Sequence, residues 1–305
     1  MKKYVSSILF NFNYFSFFKI KNWQDFVINS RKNQYQELAK IKRGEFMDLA
    51  TILGLVIAIA GAIGGFLFEG GELIGLFSVA SALIVLGATV GAVFISFPMT
   101  EIKEIPKLIK LILTEKDFDY QSLIDKITNL ANIARKEGIL ALEPLTQEIE
   151  NKFLANGLLM VVDGMDKEAT KSIMEAEINA VQERHARRAK IFEAAGGYCP
   201  TMGIMGTVMS MISVLKELDD PSTLGPKIAM AFTATLYGVG FANVLFFPFA
   251  EKLKSKSSAE LVYMEICTEG VLSIQAGESP KIISEKLAVF TNQGKRIEEE
   301  EHKDG

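Results

Sequence analysis

The sequence predicts an all-α membrane protein with four transmembrane helices, a large helical cytoplasmic domain between helices two and three, and a C-terminal cytoplasmic helix. Three observations predict it. First, Leu49–Phe68, Leu73–Phe97, Gly196–Leu215 and Ile228–Ala250 contain no charged residue and no His, although Asp, Glu, Lys and Arg make up 23% of the chain. At 1.5 Å rise per residue, about 20 residues cross a hydrocarbon core of about 30 Å. Second, the basic residues cluster on one side of these stretches. Third, apolar residues between them recur at helical spacing.

The chain divides into five segments. Residues 1–46 form an N-terminal extension, 47–98 carry spans one and two, and 99–195 form a cytoplasmic domain. Residues 196–250 carry spans three and four, and 251–305 form a cytoplasmic helix with a charged tail. In the extension, Phe10 to Phe18 is aromatic but broken by Asn, with no small-residue cleavage site behind it, so it is a poor signal peptide. Met47-Asp48-Leu49-Ala50-Thr51 reads as a coherent start of a membrane protein. Residues 1–46 are therefore expected to lie outside the fold, with an amphipathic surface segment as the rival reading.

Orientation follows from the flanks. Glu69-Gly70-Gly71-Glu72 joins spans one and two without Lys or Arg, and Lys216 to Lys227 joins spans three and four with Glu217, Asp219 and Asp220 between its edge lysines. Lys103, Lys107 and Lys110 follow span two, Arg184, Arg187, Arg188 and Lys190 precede span three, and Lys252, Lys254 and Lys256 follow span four. The positive-inside rule places these clusters, both termini and the Thr100–Ala195 segment in the cytoplasm of a multi-pass plasma-membrane protein.

Within the spans, Gly61 and Gly65, and Gly87 and Gly91, are small-xxx-small pairs. Such pairs pack helices closely within one subunit or between subunits, and spacing does not choose. In the cytoplasmic segment, Ile105, Leu108, Ile109 and Ile112 repeat at three and four, as do Ile124, Ile127, Leu130 and Ala131. Asp163-Gly164-Met165-Asp166 is a turn that ends on a helix cap. No breaker interrupts Lys167 to Ala195, so one long polar helix feeds straight into span three. Pro200 then falls near the start of that span, where a missing N–H costs little, and Pro248 should end or kink span four. Residues 257–293 are again amphipathic, broken at Gly277-Glu278-Ser279-Pro280.

Composition excludes several classes. A net charge of −4 and a pI near 5.5 provide no basic face for nucleic acid. Cys199 and Cys267 make no disulfide framework and read as small packing residues. His185 has no second His or Cys at ligand spacing and reads as a solvated helix residue. No nucleophile–base pair, metal cluster or phosphate-binding loop can be assembled, so neither enzyme chemistry nor a cofactor is expected. Spans three and four do carry Thr207, Ser210, Ser213, Thr233, Thr235 and Asn243. Each could bond its own helix carbonyl four residues back. Alternatively they line a polar path around an acidic side chain donated by another polypeptide, since the spans hold no ionisable group of their own.

Three motifs carry a resemblance. Pro200-Thr201-Met202-Gly203-Ile204-Met205-Gly206-Thr207-Val208, then Asp220-Pro221 through Leu224-Gly225, then Ala231-Phe232-Thr233-Ala234-Thr235-Leu236-Tyr237-Gly238, resemble the A subunits of the flagellar motor stator, in the MotA/TolQ/ExbB proton channel family. The resemblance runs from Met47 to about Gln293. It implies a homopentamer around two copies of a B subunit, which supplies the ion-binding Asp and a peptidoglycan anchor. Ion flow, of H+ with Na+ also open, would become torque on the rotor switch protein. By position, Arg135 and Glu143 match the rotor-contacting pair, Pro200 and Pro248 the hinge prolines, and Thr207 and Thr235 the polar positions facing the partner's Asp. Glu177 matches an acidic position at the cytoplasmic mouth of the ion pathway. The alternative is an envelope energy-transducing channel subunit like TolQ or ExbB, which have three spans.

Overall fold

A computed structural model describes residues 48–115, 118–216 and 221–301, with side chains of the last segment described over 224–291. The expected extension, and the acidic link residues Glu217, Asp219 and Asp220, lie outside the described residues. The described elements are helical, with no β-strand among them.

Span one is α1, Leu49–Phe68, as its charge-free limits predict. Asp48 caps it by accepting from the Thr51 N–H at 3.0 Å. None of its residues is buried, and its contacts include Ala242–Phe246 of span four and Ile105–Leu113, both described below. Span two, α2, runs Leu73–Ser96 but is not one regular helix. A 3-10 turn (Leu73–Leu76) leads to a helix start capped by Ser78, followed by a widened π segment (Leu83–Gly87) and the regular helix Ala88–Ser96. The short amphipathic helix α3, Ile105–Leu113, follows, with Leu108 and Ile112 buried.

Helix α4 (Tyr120–Glu137) and helix α5 (Lys152–Val162) build the polar body. Helix α6 is Lys167–Lys216, 50 residues without a break. At 1.5 Å per residue it measures about 75 Å, far more than a membrane needs, so the polar body and span three share one rod. Asp166 caps its start by accepting from the Ala169 N–H at 2.8 Å. Pro200 therefore lies in the interior of a helix rather than near its start, because the polar stretch ahead of it is itself helical. It leaves the Gly196 carbonyl without its helix donor.

Span four belongs to a second long rod, α7, whose segments Pro221–Phe241, Ala242–Phe246 and Phe247–Gln275 run end to end. Its helix begins within the expected link, ahead of Ile228. Pro248 does not end it. The π segment immediately before the proline widens the turn whose carbonyls the ring would otherwise meet, which lets the helix continue. Helix α8, Pro280–Glu301, closes the chain after a turn through Gly277.

Two kinds of packing result. In the polar body, α4, α5, α7, α8 and the early part of α6 enclose Ile124, Ile127, Leu142, Leu154, Leu158, Met174, Ile266, Ile283 and Leu287, all under 2% exposed. Each such burial contributes about 1.5–3 kcal/mol. Cys267 sits in this core, and burial pushes its thiol up to about 12. Among the spans small residues do the packing instead, as expected where no hydrophobic drive operates.

Candidate functional site

The seam between α6 and α7 is built from residues with almost no side chain. A Cβ on Gly203 would lie 3.0 Å from the Ala234 carbonyl oxygen, and one on Gly238 would lie 2.8 Å from that of Cys199. A Cβ on Gly206 would meet Ala234 at 3.0 Å and Ile84 of α2 at 3.3 Å. Ala231, Ala234 and Cys199 are all at most 2% exposed. The two backbones can approach this closely only because these positions are glycine and alanine. By contrast, a Cβ on Gly61, Gly65, Gly87 or Gly91 would meet nothing within 4 Å. The paired glycines singled out by spacing thus do no packing within this chain; the unpaired ones at the seam do.

Thr207 and Thr235 each follow a seam residue by one position, which brings their hydroxyls together at the edge of the crossing. Thr207 Oγ1 and Thr235 Oγ1 are 2.5 Å apart. The Thr207 hydroxyl also reaches its own helix carbonyl at Gly203 (3.1 Å) and, across the seam, the carbonyl of Ala231 (3.0 Å). Ala231 lies four residues before Thr235, so Thr207 takes up the carbonyl that Thr235 would otherwise bond. A hydroxyl carries one proton. The arrangement that uses every group has Thr235 donating to Thr207 and Thr207 donating to a carbonyl. The Thr235 oxygen then retains its acceptor lone pairs beside a half-buried edge. Such a site can accept a hydrogen bond from a neutral carboxyl group or coordinate a small cation. Thr233 and Asn243 bond their own helix carbonyls, at Ala229 (2.9 Å) and Val239 (2.9 Å).

Tyr237 was not singled out beforehand. Its hydroxyl donates to the Leu76 carbonyl at 2.6 Å and accepts from the Ser78 N–H at 3.1 Å. Ser81 adds a bond to the Met230 carbonyl at 3.1 Å. The 3-10 turn that opens span two is thereby tied to the helix bearing Thr235. A tyrosine inside an apolar stretch needs a partner for its hydroxyl, which is the signal that could have found it.

At the opposite end of the spans lies a charged clasp. The Asp48 carboxylate, nearly buried, meets Lys252 Nζ at 2.6 Å, and its backbone N–H donates to the Leu113 carbonyl at 2.8 Å. Lys256 Nζ donates to the carbonyls of Leu111 (2.7 Å), Ile112 (3.4 Å) and Thr114, capping α3. Burial opposes ionisation of Asp48, but the Lys252 ammonium and the Thr51 N–H outweigh it and hold the carboxyl below its ordinary 3.8. Beside the clasp, a cleft of about 470 Å³ is lined by Pro248 with Glu193, Asn243, Glu251 and Lys254. Lys254 bridges α6 and α7 through Glu193 at 2.6 Å, which raises its pKa. Pro200 lies at the seam, its Cα 3.2 Å from where a Cβ on Gly238 would sit.

Arg135 and Glu143 lie elsewhere, in the polar body. Arg135 is in the last turn of α4, which Gly138 ends with φ of +90°, a conformation that favours glycine. A 3-10 turn, Ile139–Leu142, follows, and Glu143 begins the next helical turn. Both side chains are exposed, while Leu142 between them is fully buried and anchors the loop. Glu177 is exposed on α6 beside a cavity of about 310 Å³ that it shares with Glu260 and Lys152. It stands 23 residues before Pro200 on one continuous helix, about 34 Å away, and so is not brought together with the threonine pair. His185 is not simply solvated, for its Nδ1 lies 3.0 Å from Ser257 Oγ, linking α6 to α7.

Comparison with known proteins gives a consistent result. Residues 145–266 match the MotA/TolQ/ExbB proton channel family, and residues 52–138 match the Motility protein A N-terminal family. The chain is 39% identical to Motility protein A of Bacillus subtilis over 245 residues, 80% of this chain and 91% of that one. It is 37% identical to Chemotaxis protein PomA of Vibrio alginolyticus, over 82% of this chain and 98% of that one. Among solved structures, it resembles the MotAB structure of C. jejuni with TM-score 0.77 and 34% identity, covering 80% of this chain and 96% of that one. It also resembles the flagellar MotAB stator complex of Bacillus subtilis with TM-score 0.76 and 38% identity, covering 81% and 97%.

Proposed function

Because this chain belongs to the MotA/TolQ/ExbB proton channel family, we infer that it is the A subunit of a flagellar motor stator, an ion-conducting membrane protein rather than an enzyme. Its partner is a B subunit with one membrane helix bearing an Asp. Five copies of this chain surround a dimer of that partner in the plasma membrane, with both termini and the polar body in the cytoplasm. Ion passage past the seam turns the ring of A subunits, and Arg135 and Glu143 deliver the motion to the rotor switch protein. Pro200 and Pro248, beside the seam and the clasp cleft, are the positions at which the two rods flex.

The observation that carries this reading is the oxygen site at Thr207 and Thr235, in spans that hold no Asp, Glu, Lys, Arg or His of their own. A path with acceptors but no titrating group is incomplete alone, and becomes complete when a second chain supplies a carboxyl. The transported ion in this reading is H+, handed to and from that carboxyl. Na+ is the second reading, favoured by two further oxygens within 3.0 Å of the Thr207 hydroxyl: Thr235 Oγ1 at 2.5 Å and the Ala231 carbonyl at 3.0 Å. Glu177, far along the rod, would act by collecting cations at the cytoplasmic side.

Ion flux into liposomes tests the reading. The chain alone should conduct nothing, and co-reconstitution with the B subunit should open a flux that vanishes when the partner's Asp is replaced. Conductance by the A subunit alone would overturn the two-chain site. Swimming speed against a proton uncoupler and against sodium concentration separates the two ions.

A further inference from the structure

Helix α3 lies level with the ends of all four spans. Its last residue accepts from the Asp48 N–H at the start of span one, and Met99–Ile102 begins three residues beyond the end of span two at Ser96. Leu108 and Ile112 pack on Ala189 and Phe192, just ahead of span three, and on Ala250 and Leu253, where span four ends. Four spans crossing a bilayer would put this helix at the depth of its headgroups.

The two carboxylates of this segment turn to α6, where Arg188 lowers the pKa of Glu104 with help from nearby Lys107. Glu104 turns to Arg188 at 2.7 Å and Glu101 to Arg187 at 3.9 Å, both on α6. Lys103 and Lys107 are exposed and make no ion pair among the described residues, and Lys107 lies one position from buried Leu108, about 100° round the helix. Exposed Leu111 lies about 40° from Lys107 round the helix, whereas Ile109 lies about 200° from it, on the far side of the buried stripe. An apolar flank with outward lysines at headgroup depth matches the chemistry of an anionic lipid surface.

We propose that Met99–Leu113 is a docking shelf for anionic phospholipid, with Lys103 and Lys107 engaging headgroup phosphates while Leu111 rests against the acyl boundary. The proposal requires only that the four spans cross a bilayer, so its failure leaves the stator reading intact.

The test uses the full chain in zwitterionic detergent, titrated with phosphatidylglycerol or phosphatidylcholine and read by native mass spectrometry. Phosphatidylglycerol should bind more tightly, and Lys103→Gln/Lys107→Gln should weaken it about thirtyfold, at about fivefold per lysine near an anionic surface. Lys103→Arg/Lys107→Arg should retain it. Equal binding of the two lipids, or unchanged phosphatidylglycerol binding by the Gln pair, would overturn the proposal. So would a change in oligomer size with lipid binding intact, which would assign this face to a second copy of the chain.

Discussion

Asp48 and Lys252 meet at 2.6 Å across a junction that joins the first residue ahead of span one to the extension of span four. Since no residue of α1 is buried, this pair and the Asp48 backbone bond to Leu113 are the main polar ties between that helix and the rest. Breaking a buried pair leaves one charge uncompensated, here a lysine only partly able to reach water.

Asp48→Asn should therefore destabilise the protein by about 2 kcal/mol, read as a lower unfolding midpoint in detergent. The carboxyl is held below its ordinary 3.8, so its contribution is fully present above that value and lost as pH falls through the lower folded value. The wild-type midpoint should show this loss below about pH 4 from this group, and Asp48→Asn should lack it.

Gly238→Ala should shift the seam, since the added Cβ would stand 2.8 Å from a backbone oxygen that cannot rotate away. A cost of about 1–3 kcal/mol is expected, whereas Gly61→Ala, facing open space, should cost nothing measurable in the isolated subunit. Equal effects in a thermal unfolding assay would mean that the seam is looser than these distances.

Thr235→Val keeps the volume but removes the acceptor beside the open edge. Flux through the assembled complex should fall at least tenfold with assembly unchanged, as monitored by copurification of the B subunit. Thr207→Ala should act more mildly on rate and alter ion preference, because water can take the place of a small hydroxyl-bearing side chain. Flux at the wild-type level in Thr235→Val would return that residue to ordinary packing.

Arg135→Glu and Glu143→Lys change exposed charges in the last turn of α4 and just after buried Leu142, so folding should be affected by no more than about 1 kcal/mol. On the proposed rotor contact, torque should fall sharply, because the charge these residues offer is reversed. Bead rotation assays on cells with normal stator levels check this, and full torque in either variant would exclude the rotor-contact role.

Tyr237→Phe removes only a hydroxyl, yet frees the Leu76 carbonyl and the Ser78 N–H at the start of span two. A loss of about 1–2 kcal/mol is expected, with faster hydrogen exchange at Ser78. Protection as in the wild type would mean that the turn holds itself.

The apolar limits of span one, the long rod from Lys167 and the cap at Asp166 were all legible in the sequence, because each depends on local physics: charge exclusion, helical period, and a side chain capping its own helix. The threonines were legible as polar residues in apolar surroundings, but their 2.5 Å approach depends on Gly203, Gly206 and Gly238, whose effect appears only when two helices cross. For the same reason the Gly61–Gly65 and Gly87–Gly91 pairs, alike in spacing to any packing motif, face open space within this chain. Pro248 reads as a helix end from its missing donor, yet the chain continues, because a π turn ahead of it absorbs the ring. Asp48 finds Lys252 over 200 positions away, and no periodicity announces such a pair. What acts within a turn or two of helix belongs to the sequence; what requires two backbones to meet belongs to the tertiary structure.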